Sequence, residues 1–400
     1  MLNAYIYDGL RSAFGRHAGV LAPVRPDDLV AEVMRALVTR SPWKPEEVED
    51  VILGCANQGG EDARNVARNS LLAASFPVTV GGQTVNRLCA SGLAAVIESA
   101  RAITCGEGEL YVAGGVESMS RAPFVMGKSE TAYSRDFHVY DSTIGARFPN
   151  PKVTARYGSD TMPQTGDNVA KDYGIARDAA DRFAAASQEK YEAARAANFF
   201  AGEIHPIEVS TGRKSPPKVV ALDEHPRPDS TVETLAKLKP LFEGGVVTAG
   251  NSSGVNDGAA ALLMGSLEAG EKKGAKPIAR ILAAASAGVE PRVMGIGPVR
   301  AIAKALDRAK LKLNDMDIIE INEAFASQVL GCLKLMEVPF DDSRVNPNGG
   351  AISVGHPLGA SGARLALTTA RELQRRHGRY AAVSLCIGVG QGLAMIIERV

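Results

Sequence analysis

Short apolar runs alternate with stretches of helical period over most of this chain, and the alternation is written twice. Residues 27–37 place apolar side chains at helical spacing and lead through Lys44-Pro45-Glu46-Glu47 to a short apolar run at 51–53. Residues 298–309 do the same, leading through Leu313-Asn314-Asp315-Met316-Asp317 to a run at 318–321, so the two strand starts lie 267 residues apart (51 and 318). A 3.6-residue rhythm predicts helices, and bounded apolar runs predict buried strands. Ala90-Ser91-Gly92 opens a predicted small-residue helix over 93–103, and Ala360-Ser361-Gly362 opens another over 363–373, offset by 270 (90 and 360). Each is followed by an apolar strand ending in glycines, 110–115 and 381–388, and the strand at 4–7 has its counterpart at 279–282. Ordered matches at nearly one offset point to duplication: two βαβ-rich α/β halves, each expected to be mostly parallel sheet with helices on its faces.

Between the halves the composition turns toward Pro, Asp, Arg and Lys. Residues 118–245 read as an insertion, with one long helix over 177–200 that puts Phe183, Ser187 and Tyr191 on one face, and polar loops such as Arg213-Lys214-Ser215-Pro216-Pro217-Lys218. Residues 246–264 return to apolar and small side chains, as the last strand of the first half. The expected organisation is a first half over 1–117 and 246–270, the insertion over 118–245, and a second half over 271–400.

Composition narrows the function. Lys+Arg and Asp+Glu each number 45, which argues against nucleic-acid binding, where a basic excess is the rule. No uninterrupted apolar run reaches the roughly 18 residues of a membrane span, and the opening MLNAYIYDGL has no secretory pattern. Five scattered cysteines (Cys55, Cys89, Cys105, Cys332, Cys386) without a CxxC suit neither a disulfide framework nor a zinc site. A cytoplasmic chain with free thiols and no metal is the expectation.

Two cysteines and a histidine stand in rigid settings. Cys89, in Asn86-Arg87-Leu88-Cys89-Ala90-Ser91-Gly92, lies where the chain enters a helix, and a helix N-terminus favours thiolate; the segment alone also fits a small buried hydrophobe. Cys386, in Ser384-Leu385-Cys386-Ile387-Gly388-Val389-Gly390-Gln391-Gly392, follows the last strand of the repeat. Alternating glycines there permit close approach of a ligand or, equally, a tight turn; neither a dinucleotide nor a P-loop pattern is present. His356 is framed by Gly355 and Pro357 just before the second Ala-Ser-Gly, which suits a general base. Asn322, in Asn322-Glu323-Ala324-Phe325, follows the second repeated strand and can orient a water or donate to an oxyanion. The other histidines (His17, His138, His205, His225, His377) fall in polar segments and read as mostly solvated. If equivalent strands of the two halves face one junction, Cys89, Asn322, His356 and Cys386 meet at strand carboxyl ends.

At these residues the chain resembles the thiolase family. The matching segments are NRLCASG (86–92), GGVESMS (114–120), TAGNSSGVNDG (248–258), NEAF (322–325), 346–362 and 386–392, and the likeness spans essentially the whole chain. It implies two duplicated βαβαβαββ halves in a five-layer α-β-α-β-α arrangement, a coenzyme A-binding loop domain inserted in the first, and a homotetramer. By position it implies Cys89 as the acylated nucleophile and His356 as its activator, which also lines an oxyanion pocket with the water held by Asn322. Cys386 becomes the acid/base at the acetyl-CoA enolate, and the N–H groups of Cys89 and Gly388 a second oxyanion hole. Arg227, Ser253, Met162, Ala324 and Phe325 fall at coenzyme A contacts; coenzyme A is a co-substrate, and no tightly bound cofactor is implied. Thr161 stands where some relatives have a histidine at the pantetheine arm. A decarboxylating synthase of the same fold pairs its cysteine with His/His or His/Asn, so Cys386 argues against it.

Within the family, ILGCANQGGED (52–62), Asn65-Val66-Ala67-Arg68 and ESMSRAPFVMGK (117–128) are most similar to bacterial 3-oxoadipyl-CoA thiolases. The resemblance implies thiolytic cleavage to succinyl-CoA and acetyl-CoA in aromatic-compound degradation, with acetoacetyl-CoA or general 3-ketoacyl-CoA thiolysis as the alternative. A distal carboxylate on the substrate calls for a cation, and Arg121, Lys128, Arg135, Arg147 and Arg156 in the insertion are its candidates.

Overall fold

The structure, a computed structural model, describes residues 1–210, 212 and 215–400; Arg213 and Lys214 of the polar loop lie outside the described residues. Among the described residues, nine strands of four residues or more form one continuous sheet: β1 (Ala4–Ser12), β2 (Asp50–Gly54), β3 (Gly81–Val85), β4 (Leu110–Ser118), β5 (Asn256–Gly265), β6 (Ala279–Gly288), β7 (Ile318–Ile321), β8 (Tyr380–Ile387) and β9 (Gln391–Arg399). Their order is β7-β8-β9-β6-β1-β5-β4-β2-β3. Counted outward from the β1–β6 junction, the first half runs β1-β5-β4-β2-β3 and the second β6-β9-β8-β7. A single parallel bridge, Ile319 to Val345, stands where a counterpart of β3 would pair. The halves join antiparallel through Ala4, Tyr5 and Ile6 against Ile281, Arg280 and Ala279. The duplication is thus visible strand by strand. The expectation of mostly parallel sheet is corrected: among these nine strands, only β2 with β3 and β4, and β7 with β8, run parallel. Each half ends on a strand that returns antiparallel, β5 after the insertion and β9 through a tight hairpin.

Eight helices place the layers: α1 (Pro26–Thr39), α2 (Val66–Ala73), α3 (Ser91–Cys105), α4 (Met162–Tyr173), α5 (Arg177–Ala196), α6 (Gly297–Ala309), α7 (Ala326–Leu335) and α8 (Leu358–Arg376). Strand alternation sends Val51 and Leu53 outward to Leu29, Val33 and Leu71 of α1 and α2. The same period-two rule turns Ile52 inward to Leu93, Leu365 and Leu367 of α3 and α8. In the second half Ile319 and Ile321 face α6 and α7, while Ile318 faces the centre. The result is α-β-α-β-α, with α3 and α8 as the middle layer. Residues 88–105, with a mean hydropathy of 1.3, are long and apolar enough to cross a membrane by composition, but they form this buried middle helix.

The repeated Ala-Ser-Gly is where the two middle helices cross. A β-carbon on Gly92 would lie 2.4 Å from the Gly359 carbonyl oxygen, and one on Gly362 would lie 2.2 Å from the Leu93 nitrogen. Each half therefore uses glycine to admit the other's backbone.

In the insertion, α5 buries Phe183, Ser187 and Tyr191 as the spacing predicts, but it ends at Ala196, with Asn198 in the left-handed region at φ 57°. Ser187 Oγ donates to Glu323 Oε2 at 2.7 Å, fastening the insertion to the second half. The strand expected over 246–264 begins only at Asn256. The residues before it form turns, with Asp167 accepting from the Val246 and Val247 N–H groups at 2.7 and 2.9 Å.

Candidate active site

Cys89 stands in a one-turn 3-10 helix, Leu88–Ala90, between β3 and α3. Leu88 has φ 47°, an outlier for a branched side chain, and such strain is tolerated only where surrounding contacts enforce it. Those contacts are present. Ser91 Oγ accepts from the Arg87 N–H (2.8 Å) and donates to the Leu88 carbonyl (2.7 Å), and Asn86 Oδ1 accepts from the Leu88 N–H (2.9 Å). The backbone N–H groups of Gly388 and of Cys89 itself point at the thiol and draw its pKa down, but burial outweighs them and the net shift is upward. This corrects the expectation of a dipole-stabilised thiolate: the cysteine precedes the α-helix proper, and desolvation of the anion dominates.

His356 is buried between Gly355 (φ 104°) and Pro357, and its backbone N–H donates to Asn256 Oδ1 at 2.9 Å. Ser361 Oγ donates to the Pro357 carbonyl (2.8 Å), so at 2.6 Å from His356 Nδ1 it must act as the acceptor. That assigns the proton to Nδ1 and leaves Nε2 as the unprotonated, basic nitrogen of the ring. Asn322 Nδ2 donates toward this Nε2 at 3.3 Å. Burial, with the Arg364 charge second, pushes the imidazole pKa down to about 3. Asn322 follows β7, its N–H donating to the Ser384 carbonyl at 2.9 Å, and its buried Oδ1 has no hydrogen-bond partner among the described residues.

Cys386 lies near the end of β8, opposite Gly392. Burial, then the neighbouring Cys89 and Cys332, raise its pKa well above an ordinary thiol. The glycines that follow make a three-residue hairpin with Val389 (φ 65°) and Gly390 (φ 85°) in the left-handed region. Of the two readings left open for this segment, the tight turn is realised, and it is also what aims the Gly388 N–H at Cys89. Cys89, Asn322, His356 and Cys386 are therefore gathered at one junction, by strand ends and helix starts of both halves.

Four of the five positions matched to coenzyme A contacts adjoin that junction. Ala324 and Phe325 share an apolar cluster with Val247, Met294 and Cys386, against which Met162 packs. Ser253 donates from its N–H to the Ala324 carbonyl at 2.9 Å. Arg227 is exposed, its N–H bound to Gln188 Oε1 at 2.9 Å. Thr161, in place of histidine, caps α4 through Gln164 Oε1 at 2.7 Å from its N–H. Of the candidate cations, Arg121 pairs with Glu61, Lys128, Arg135 and Arg156 are exposed, and Arg147 donates to the carbonyls of Ser142 (3.1 Å) and Asn57 (3.0 Å).

Sequence reasoning missed the supports. Asn256 and Ser361 hold His356 from another strand and the next turn. Glu117, buried and raised to about 7 chiefly by that burial, accepts from the N–H groups of Ala56, Asn57 and Gly359 at 2.8–2.9 Å. It lies with Cys55 and Asp62 inside 4.8 Å, and Asp62 accepts in turn from the N–H groups of Gln58 and Gly60. His225, expected to be solvated, is buried, with its pKa pushed down to about 4 by burial and then by Arg227 and Arg16.

Two family models cover the chain: thiolase, N-terminal domain, over residues 4–268, and thiolase, C-terminal domain, over 275–399. The chain is 55% identical to a beta-ketoadipyl-CoA thiolase of Acinetobacter baylyi, with all of both proteins covered. It is 54% identical, again over the whole of both, to a 3-oxoadipyl-CoA/3-oxo-5,6-dehydrosuberyl-CoA thiolase of Escherichia coli strain K12. Among solved structures, human mitochondrial 3-ketoacyl-CoA thiolase in complex with CoA superposes with a TM-score of 0.91 at 38% identity, covering 100% of this chain and 98% of that one.

Proposed function

The chain belongs to the thiolase family of acyltransferases, and on that premise we propose that it cleaves 3-oxoadipyl-CoA with coenzyme A to succinyl-CoA and acetyl-CoA, in the breakdown of aromatic compounds. The observation that carries the reading is the meeting of residues from both halves at one junction: the Gly388 N–H points at the Cys89 thiol, Cys386 neighbours Cys89, and Asn322 Nδ2 reaches His356 Nε2 at 3.3 Å. Full-length likeness to beta-ketoadipyl-CoA thiolases supports the substrate.

His356 Nε2 takes the Cys89 proton, and Sγ attacks the C3 ketone. The oxyanion falls to the N–H groups of Cys89 and Gly388, whose aim at the thiol favours this role. The C2–C3 bond breaks and its electron pair leaves as the acetyl-CoA enolate. The enolate oxygen faces the proton on Nε2 and a water held by Asn322, whose unpartnered Oδ1 suits that task. Cys386 protonates the enolate carbon, acetyl-CoA departs and succinyl-Cys89 remains. Cys386 then takes the proton of the incoming coenzyme A thiol, succinyl-CoA forms and the His356 proton returns to Cys89. One oxyanion donor is worth about 3–4 kcal/mol in such reactions.

Coenzyme A in this reading lies against the inserted segment 118–245, touching Arg227, Ser253, Met162, Ala324 and Phe325. The active form is a cytoplasmic homotetramer, and subunit contact would cover Phe124, Phe137, Ile144 and Phe148, which the insertion leaves exposed. The test compares coenzyme A-dependent cleavage of 3-oxoadipyl-CoA and acetoacetyl-CoA with direct detection of both products. Higher kcat/KM for 3-oxoadipyl-CoA is expected, and equal or better use of acetoacetyl-CoA would overturn the substrate assignment while keeping the chemistry.

A further inference from the structure

The proposed substrate carries a carboxylate at the far end of its acyl chain. In the succinyl acyl-enzyme three carbon–carbon bonds separate the acylated carbon from that charge, so it sits within about 6 Å of the Cys89 sulfur even when extended. A carboxylate drawn into a cleft and left unpaired is costly, so a cation near the nucleophile turn would raise both binding and selectivity.

The five basic side chains of the insertion differ in what already engages them. Arg121 is held by Glu61. Lys128 and Arg135 are exposed, and Arg156 is exposed over the ring of its own neighbour Tyr157 at 5.3 Å. Arg147 is half-buried and anchored by two backbone carbonyls, Nη1 to Ser142 at 3.1 Å and Nη2 to Asn57 at 3.0 Å. Carbonyls orient a guanidinium without neutralising it. Two of its five N–H donors are engaged by these bonds, which leaves a fork suited to a carboxylate.

Its anchor is tied to the nucleophile turn through Ala56 and Asn86. Asn57 follows Ala56, whose carbonyl accepts from Asn86 Nδ2 at 3.0 Å, and Asn86 Oδ1 accepts from the N–H of Leu88, the residue before Cys89. The same two-residue platform is fixed from beneath, because Glu117 accepts the Ala56 and Asn57 N–H groups, both at 2.9 Å. Asn57 Nδ2 in turn donates to the Ser142 carbonyl at 3.2 Å, tying the Arg147 loop to the platform. We propose that Arg147 is the specificity-determining cation that receives the distal carboxylate of the acyl chain. This assignment rests on the 3-oxoadipyl-CoA reading above.

The experiment measures kcat/KM for 3-oxoadipyl-CoA and for its terminal methyl ester with the wild-type enzyme, Arg147→Gln and Arg147→Lys. A charge-assisted pair predicts that the wild-type enzyme prefers the acid over the ester by about 10- to 100-fold. In Arg147→Gln that ratio should collapse toward one, and Arg147→Lys should recover part of it. A wild-type enzyme indifferent to esterification, or an Arg147→Gln variant that keeps the wild-type ratio, would overturn the assignment. The wild-type comparison does not depend on whether the glutamine variant folds. Failure of the parent reading is separate: it appears as wild-type preference for acetoacetyl-CoA over 3-oxoadipyl-CoA.

Discussion

Two backbone N–H groups reach the Cys89 thiol, and burial still raises its pKa, while the His356 imidazole is lowered to about 3. The sign of both shifts is the same in effect: thiol and imidazole each rest uncharged, so in the proposed reaction the thiolate forms only as its proton leaves for the imidazole. The Cys89 pKa lies above the free-thiol value of 9.0, so its alkylation by iodoacetamide, followed at the Cys89 peptide, should still be rising at pH 9; a plateau reached by pH 7 would contradict this. Because His356 stays neutral down to about pH 3, its titration should not produce an acid limb in kcat/KM between pH 5 and 7, a profile that stopped-flow measurement can check. Ser361→Ala removes the acceptor that keeps the proton on Nδ1, and kcat should fall about tenfold or more with little change in KM for coenzyme A; equal effects on both would mean a general loss of structure. Cys386→Ala should still accept an acyl group from succinyl-CoA on Cys89, more slowly because the same thiol serves the coenzyme A proton, yet fail to cleave the 3-oxoacyl substrate, and full cleavage would rule out the acid/base role. Cys89, His356 and Cys386 stood out because glycine- or proline-framed segments single them out, and Asn322 because it follows the second repeated strand. Asn256, Ser361 and Glu117 were not, since what they do depends on partners such as Gly359, 242 residues from Glu117, which no local pattern encodes.

Among the elements, the crossing of α3 and α8 sets the site, because it fixes where the Cys89 turn and the His356 segment begin. The contacts at Gly92 and Gly362 are to backbone atoms, which cannot swing aside. Gly92→Ala and Gly362→Ala should therefore each cost about 1–3 kcal/mol or more, seen as a lower thermal midpoint. Gly288→Ala serves as the control, its β-carbon meeting only the Gly390 carbonyl at 3.9 Å; a midpoint drop there equal to that at Gly92 would contradict the crossing argument. Five of the eight helices named above and most strands were legible from their patterns, with ends displaced by a few residues: the predicted 363–373 extends over Leu358–Arg376, while Val66–Ala73, Met162–Tyr173 and Ala326–Leu335 went unpredicted. The strand over 246–264 was misjudged because small and apolar residues also suit the buried turns that Asp167 holds. Strand direction was misjudged because apolar runs do not record it; β9 returns antiparallel through a hairpin whose Val389 occupies a conformation that composition would not predict.

Across the whole molecule, two copies of one design meet along β1 and β6 and contribute different chemistry to one junction. The first half supplies Cys89, and the second supplies Asn322, His356, Cys386 and the Gly388 N–H. The internal repeat foretold that meeting, since equivalent strand ends of paired halves converge, but the repeat is silent on substrate. The most direct test mixes the enzyme with 3-oxoadipyl-CoA in the absence of free coenzyme A and reads the protein by mass spectrometry. A single succinyl adduct on the Cys89 peptide, matched by released acetyl-CoA, is predicted. An adduct on another residue, or an acetyl group on Cys89 in place of the succinyl group, would contradict it.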